Sequence, residues 1–514
     1  MTSEGPAGPA AASAPAAADG AMAREVGIAV RNTVKLALSL ACTWSVALVV
    51  RFQLPRFLGP IEFGALNFAD SMAGSFLAFL DLGVDVYIQK EVAGRPAHAS
   101  DFVGGVFLLR AVLALLLIVA MVAILGITRR PAEIQIAAAI FGVSYFISCI
   151  NGTFGALLQS STRVGWLAIA NVAAKVAWGA GLVLCIWTRQ PMIAFAIPMV
   201  ISEVIRTLLL FPSARRVVDL ELRRDFAEVR RAVIAGLPYF VNGVVLTITS
   251  KINISVLEYI VTDKREVGWL GAANNIGSLA MIMSPLMPWI IMPMLARARQ
   301  RSINDVYVVV RFALEGLLAV AVPVAMLVAL GADVWVRLAF GTKYLESARC
   351  LVAVAPQFVF TYTAMLLSIA LVMLDQQWKA TRNSIYALVM TPLFIVLIVP
   401  YSAKLGPGGS AAGAALAGVF SEIVISSLCL YYVGRRAVGR RTLVATIKSV
   451  AVGAAVFALD HMLRRLGPVR LVIDMSTYVV LVFAVGAVRW KEFVWIVRSV
   501  ATRQRRSDTD PTQA

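Results

Sequence analysis

Within one apolar stretch near the start of the chain stand Asn67, Asp70, Gly74, Asp81 and Asp85, at steps of three, four, seven and four. That spacing aligns them on one face of a helix, so an apolar rod would carry a polar stripe. Ionisable side chains recur in other apolar stretches: Lys35 and Arg51 before the stripe, and Arg110, Glu203, Arg206, Lys251, Glu315 and Glu422 after it. Charge in hydrocarbon is costly, and it persists where it faces a water-filled path or a partner of opposite sign. The chemistry open to such a set is the binding of a charged solute and the carriage of a proton. Nothing points to bond making: there is no phosphate-binding glycine loop, no GxSxG, no HExxH, and no cluster of acids and histidines in a soluble stretch. No enzyme and no cofactor are expected. The five cysteines stand singly, and His98 and His461 have no ligand-like neighbours, so no metal site is expected either.

The elements that must position these residues are membrane helices. With 60% hydrophobic residues in 514 and a mean hydropathy of +0.81, the apolar runs reach the ~20 residues that cross a bilayer. We expect an all-α polytopic membrane protein of about 14 transmembrane helices, near 34–56, 62–88, 102–127, 134–158, 164–187, 192–212, 233–260, 267–295, 307–331, 349–374, 383–402, 410–433, 443–462 and 470–489. The net charge of +18 lies mostly in the short connections, where it sets topology; nucleic-acid binding is not needed to explain it. The side carrying Arg215, Arg216, Arg223, Arg224, Arg230 and Arg231, with Arg435, Arg436, Arg440 and Arg441, is richer in arginine than the side carrying Arg56, Arg129, Arg130, Lys264 and Lys343. The positive-inside rule makes the first side cytoplasmic, with both chain ends on it. Residues 1–30 begin with a run of Ala, Pro and Gly and are expected to form a disordered cytoplasmic tail, and 491–514 a cytoplasmic tail at the other end. The connection at 213–232 mixes Val217, Leu220, Leu222 and Phe226 with its arginines, which fits an amphipathic linker helix on the membrane surface.

The second half of the chain echoes the first after about 204 positions: Glu62-Phe63-Gly64 returns as Glu266-Val267-Gly268, and Asp70-Ser71 as Asn274-Asn275. A repeated multi-helix half is the usual build of a transporter that rocks about a central site. The expected domains are two pseudo-symmetric six-helix bundles, 31–212 and 233–434, followed by two C-terminal helices in 435–490. In this register Lys251 maps onto Ala47, one turn from Arg51, so cations from the two halves reach similar depth and can converge on one anion. Asp70, whose counterpart is the uncharged Asn274, is the natural proton-linked partner of Arg51. Asp81 and Glu422 are further coupling candidates, and Lys35, Arg110 and Asn274 further binding candidates. Plainer readings stand beside these. Lys35 and Arg51 are near enough to helix ends to snorkel to the interface. Arg110 and Glu315 occupy corresponding places with opposite sign and serve equally well as a structural ion pair. Glu203 and Arg206 are one turn apart and suit a local pair. Pro285, Pro288 and Pro293 bend the eighth span, as a gate or as a fixed packing kink.

Three blocks resemble the polysaccharide flippases of the multidrug/oligosaccharidyl-lipid/polysaccharide exporter superfamily, the group that holds the Wzx-type O-antigen translocases. They are Arg56-Phe57-Leu58-Gly59-Pro60-Ile61-Glu62-Phe63-Gly64; Leu80-Asp81-Leu82-Gly83 followed by Gln89-Lys90-Glu91-Val92-Ala93; and Phe340-Gly341-Thr342-Lys343-Tyr344. The resemblance implies passage of an undecaprenyl-pyrophosphate-linked oligosaccharide across the bacterial inner membrane, through a basic cavity between two bundles, by an antiport-like alternating-access cycle. It implies as partners the lipid-linked oligosaccharide, membrane lipids, and a polysaccharide polymerase with its chain-length regulator. Two alternatives share the fold: a cation-coupled drug exporter, which would want the buried acids, and a lipid II flippase.

Overall fold

In a bilayer every backbone polar group must be satisfied within the chain, so apolar runs of this length become helices. The computed structural model describes residues 14–91, 99–161, 165–218, 225–281, 284, 286–437, 439–463, 467 and 469–486, and among these there is no β-strand. The helices are α1 (Ala14–Leu77), α2 (Val84–Glu91), α3 (Ala99–Ile127), α4 (Ala132–Ser160), α5 (Gly165–Trp187), α6 (Ile197–Val218), α7 (Phe226–Ile260), α8 (Arg265–Ala280), α9 (Leu286–Arg301), α10 (Ile303–Leu330), α11 (Ala332–Phe340), α12 (Ser347–Met373), α13 (Gln377–Ser402), α14 (Gly409–Val433), α15 (Arg440–Leu463) and α16 (Val469–Ala484). Ten stretches among the described residues are long and apolar enough to span a membrane; one of them, Cys42–Leu80, holds the first two expected spans. The chain is thus an all-α polytopic membrane protein. Its outward surface is apolar: Leu115, Leu116 and Val119 of α3 are 65%, 61% and 59% exposed, the reverse of a water-soluble helix.

Helix breaks fall where the backbone leaves right-handed space. Gly59 (φ 75°) divides α1 into the first two spans. Leu82 (φ 54°) and Gly83 (φ 66°) separate a single 3₁₀ turn, Ala78–Leu80, from α2. The polar stripe therefore does not run along one helix: Asn67, Asp70 and Gly74 lie on α1, while Asp81 and Asp85 lie at and beyond the break. The cause is a backbone-to-backbone approach, since a Cβ on Gly83 would collide with the carbonyl oxygen of Gly236 on α7. The expected eighth span is likewise two helices, α8 and α9, parted between Ala280 and Leu286.

Two expectations at the ends of elements are revised. From Ala14 the backbone is helical, so the described part of the 1–30 tail carries regular structure; its alanines are the strongest helix formers. No separate linker helix stands among the described residues of 213–232. Residues up to Val218 prolong α6, and α7 begins at Phe226, capped by Asp225, whose carboxylate accepts from the backbone N–H of Ala227 at 2.9 Å.

The repeat is visible in contacts. A Cβ on Gly64 would lie 2.8 Å from the nitrogen of Gly268 and 3.2 Å from the carbonyl oxygen of Lys264, and one on Gly268 would collide with the carbonyl of Pro60. A Cβ on Gly271 would lie 2.8 Å from Nδ2 of Asn67. Positions 60 and 264, 64 and 268, and 67 and 271 are repeat-mates at about 204. When i meets j′ and j meets i′, the contact is isologous, as it must be beside a twofold axis. The second span and α8 therefore sit back to back on the pseudo-twofold. The final two helices pack on the second bundle, with Val452, Val456, Leu471 and Tyr478 against Val322 and Leu330 of α10. Arg470 adds polar ties there, to the Leu330 carbonyl, to Asp333 and, at 3.0 Å, to Asp460.

Candidate functional site

On the second span Asp70 faces across the bundle interface and meets Lys251 of α7, Nζ to Oδ2 2.5 Å. Tyr145 of α4 donates to the other oxygen, Oδ1, at 2.9 Å. The backbone is locked alongside, as the Ser71 hydroxyl donates to the Lys251 carbonyl at 3.1 Å. Gly74 makes room: a Cβ there would stand 3.3 Å from Lys251 Cε and 3.2 Å from the Tyr145 hydroxyl. The pair is only partly enclosed, with the Lys251 and Asp70 side chains 28% and 26% exposed.

Arg51 of the first span makes the matching reach in the other direction. Its guanidinium donates to Ser278 Oγ of α8 at 2.5 Å, and the residue is exposed. Ser278 is the repeat-mate of Gly74, so each bundle sends a cation to the same level of its neighbour. Asn274, the counterpart of Asp70, lies one turn away on α8 and is half-buried. Residue spacing pairs Asp70 with Arg51; in the structure the cation on Asp70 is Lys251.

Lys175 of α5 is a further cation at membrane depth that residue spacing did not single out. It lies within electrostatic range of Arg51 and of Glu203, and its ammonium stands 3.7 Å from the centroid of the Trp178 ring. The signal for it was present, since it is a single cation within an apolar run like the others. For Tyr145 there was no such signal.

Other expected site residues lie elsewhere. Arg110 is fully buried inside the first bundle, where its guanidinium donates to the carbonyls of Leu80 (2.9 Å), Asp81 (2.6 Å) and Cys149 (3.3 Å), to Thr153 Oγ1 (2.5 Å) and to Asp85 Oδ1 (3.3 Å). These bonds satisfy the carbonyls freed by the break at 81–83, so Arg110 fastens the break and offers a substrate nothing. Asp81 sits at that break beside Gly243 of α7. Glu422 lies on α14, hydrogen-bonded to Thr361 of α12. Glu203 and Arg206 form the local pair at 3.6 Å. The side chain of Lys35 and all of Pro285 lie outside the described residues; Pro288 and Pro293 lie on α9, beyond the break.

On the arginine-poor side the bundles are tied together. Arg130 binds Glu258 of α7 at 2.6 Å, Lys264 joins the same carboxylate at 3.0 Å, and the Arg130 guanidinium stands 4.5 Å from the Tyr259 ring centroid. Arg56 donates to the carbonyls of Leu338 and Ala339, and the Tyr344 hydroxyl to that of Pro55 at 2.9 Å. Two of the resemblance blocks, 56–64 and 340–344, thus form one interbundle seam.

A family model for polysaccharide biosynthesis proteins matches residues 29–299. No curated protein matches the chain by sequence. Among solved structures, the lipid II flippase MurJ in an inward closed conformation superposes with a TM-score of 0.71 at 13% identity, covering 90% of this chain and all 100% of that one. An inward-facing multidrug resistance transporter of the MATE family, MOP superfamily, gives 0.64 at 16% identity, covering 78% and 98%. A MOP superfamily transporter from Pyrococcus furiosus, described as having a binding pocket of reverse polarity, gives 0.55 at 16% identity, covering 78% and 95%. Identities this low speak for the fold alone. Family and fold agree with the resemblance drawn from the three blocks.

Proposed function

Because the chain belongs to the polysaccharide biosynthesis protein family and has the fold of MOP superfamily transporters, we propose that it is a flippase for an undecaprenyl-pyrophosphate-linked oligosaccharide. It moves the repeat unit from the cytoplasmic to the outer leaflet of the bacterial inner membrane, for O-antigen, capsule or exopolysaccharide assembly, with both termini in the cytoplasm. The observation that carries this reading is the pair of cations that cross between the bundles, Arg51 to Ser278 of α8 and Lys251 to Asp70 of the second span, both on partly exposed side chains. A diphosphate leaving water needs charge-assisted donors, and arginine adds a planar fork that a lysine lacks. The glycan crosses in the cleft while the tail stays in lipid, and the bundles exchange the arginine-poor seam for an opening on that side. Ion coupling enters through Asp70. An anion that recruits Lys251 leaves Asp70 to another cation or to a proton, which links substrate occupancy to an ion. A polymerase and its chain-length regulator would consume the product.

The drug-exporter reading needs an acid free to hold an organic cation; Asp70, at the bundle interface, is already neutralised by Lys251, which leaves Glu422 of α14 to that reading. Reconstitution decides between them. Proteoliposomes carrying a fluorescent polyprenyl-diphosphate oligosaccharide should show flipping that depends on a pH or sodium gradient. Efflux of a cationic dye without movement of the lipid-linked sugar would reverse the assignment.

A further inference from the structure

Two buried acids of the C-terminal helix pair, Asp460 of α15 and Asp474 of α16, have no part in the reading above. On α16 Arg470, Asp474, Tyr478 and Val482 follow steps of four and are all buried, so they form the face that packs on α10 and α15. Asp474 is 0% exposed and Asp460 5%. Arg470 is the cation of this corner. Its Nε stands 3.0 Å from Oδ1 of Asp460, but the approach is not aligned as a hydrogen bond and leaves both atoms without a partner. Its Nη2 donates to the Leu330 carbonyl at 3.3 Å and to Asp333, at the join of α10 and α11. Asp474 lies one turn from Arg470 on the same face, and its carboxyl group is within hydrogen-bond range of that of Asp460. No donor among the described residues reaches either Asp474 oxygen. Tyr478, one turn further along, is hydrogen-bonded to Ser449, and the remaining neighbours, Val322, Val452, Val456 and Leu471, are apolar.

Two carboxyl groups thus face each other with only acceptors between them, and one guanidinium can balance one of them. A second ionised carboxylate, buried and without a donor, is a state that proteins avoid by keeping the group protonated. We propose that Asp460 and Asp474 form a proton-binding site, sharing one proton while Arg470 balances the charge that remains. The ligand follows from the donor set. A proton supplies the one hydrogen bond that two facing carboxylates lack, and it leaves a single negative charge against a single guanidinium. A metal ion would want more oxygens, and among the described residues no group of three or more His, Cys, Asp and Glu side chains is placed to hold one. Arg470 links the site to the fold, because its bonds to Leu330 and Asp333 dock α15 and α16 on the second bundle. With the proton gone, two carboxylates compete for that guanidinium, so proton release loosens the docking. Asp333, whose side chain is 54% exposed, joins Arg470 to the solvated edge of the corner. The inference stands independently of the substrate reading.

The test uses the full chain in phosphatidylethanolamine/phosphatidylglycerol nanodiscs, in a His461→Gln background, because His461 follows Asp460 in sequence and would titrate over the same range. Difference infrared spectra should show a protonated-carboxyl C=O band at neutral pH that shifts in heavy water. The band should vanish in Asp474→Asn and, because the proton is shared, in Asp460→Asn as well, since one carboxylate beside Arg470 needs no proton. Thermal unfolding reads the docking. A folded state that keeps a proton which unfolded aspartates have released loses stability as pH rises. The melting temperature should therefore fall, relative to Asp474→Asn, by about 1 °C for each pH unit from about pH 5 to the pH at which the band disappears. If Asp474→Asn does not fold, the band in the parent and its loss in Asp460→Asn still decide. No band in the parent, or a band that survives either substitution, would overturn the shared proton. Parallel melting curves for parent and Asp474→Asn would overturn the link to docking. Loss of the band on adding sodium at constant pH would make this a metal-cation site and overturn the proton as its ligand.

Discussion

Two cation–carboxylate pairs flank the same span, and they do opposite things. At its far end Arg110 meets Asp85 with the arginine side chain 0% exposed; in its middle Lys251 meets Asp70 with both side chains more than a quarter exposed. Around Arg110 all three guanidinium nitrogens donate to acceptors of the first bundle. Lys251 comes from the second bundle and its partners, Asp70, Ser71 and Tyr145, from the first, and the pair is only partly enclosed. A charge at membrane depth is therefore not evidence of a binding site by itself. What marks a site is a charge whose partner can be exchanged, and that requires exposure and an interface that moves.

The largest effect is expected from emptying the closed pair. Arg110→Ala removes five directed bonds at once, leaving the Leu80 carbonyl to the Cys149 thiol, the Asp81 carbonyl to the Val84 N–H and the Asp85 carboxylate to the Thr153 hydroxyl, and taking the buried arginine from its pair costs about 3–5 kcal/mol. Folded yield and thermal unfolding in detergent should both fall sharply, with transport lost only in proportion to the protein that remains. A lysine cannot replace five directed bonds, so Arg110→Lys should recover little. Normal stability in Arg110→Ala would erase the contrast between the pairs.

Next comes the open pair, read out by transport. Lys251→Ala should reduce flipping of the lipid-linked oligosaccharide about tenfold to a hundredfold, while unfolding shifts far less than for Arg110→Ala. Asp70→Asn should keep Lys251 and fold normally, yet uncouple flipping from the ion gradient. The double variant should regain whatever stability Lys251→Ala lost and still fail to transport, a non-additivity that a packing role for either residue would not give. Arg51→Ala should have a smaller effect, a few-fold in flipping, because Lys175 remains nearby. If Arg51→Lys behaves like Arg51→Ala, the planar fork is what the substrate uses.

Much of the fold was legible in the sequence. Hydropathy runs reveal spans without tertiary information, because a bilayer imposes the helix; the echo at about 204 positions gave the pseudo-twofold, now seen in Gly64 against Gly268. The breaks were harder. Leu82 and Gly83 turn left-handed because Gly236 presses against them from α7, a contact some 150 residues away in sequence, so ~3.6-residue periodicity ran straight through it. For the candidate site, residue type and depth singled out Arg51, Lys251 and Asp70 but could not say which acid met which cation. Arg110 shows why: the same rule selects a clamp and a ligand, and only the count of its satisfied donors separates them.

The smallest expected effect comes from a third pair, wholly outside the membrane spans, in the turn between α7 and α8. Arg265 binds Asp263 at 2.8 Å with the two side chains 52% and 40% exposed, and the hydrogen bond from Arg265 holds the Asp263 carboxyl below its ordinary range. A carboxyl depressed in the folded state contributes stability above its unfolded pKa, and that contribution is lost as pH falls through the folded value. Asp263→Asn should therefore leave melting and flipping at neutral pH unchanged within error, and should remove only a slight part of the acid sensitivity, because an exposed pair is screened by water and salt. It completes the expected series: the arginine-carboxylate pair buried among carbonyls should govern folding, the lysine-carboxylate pair at the interface transport, and the pair in water neither. A transport defect in Asp263→Asn would show that the seam on the arginine-poor side, only a few residues from Glu258 and Lys264, takes part in the cycle through this turn.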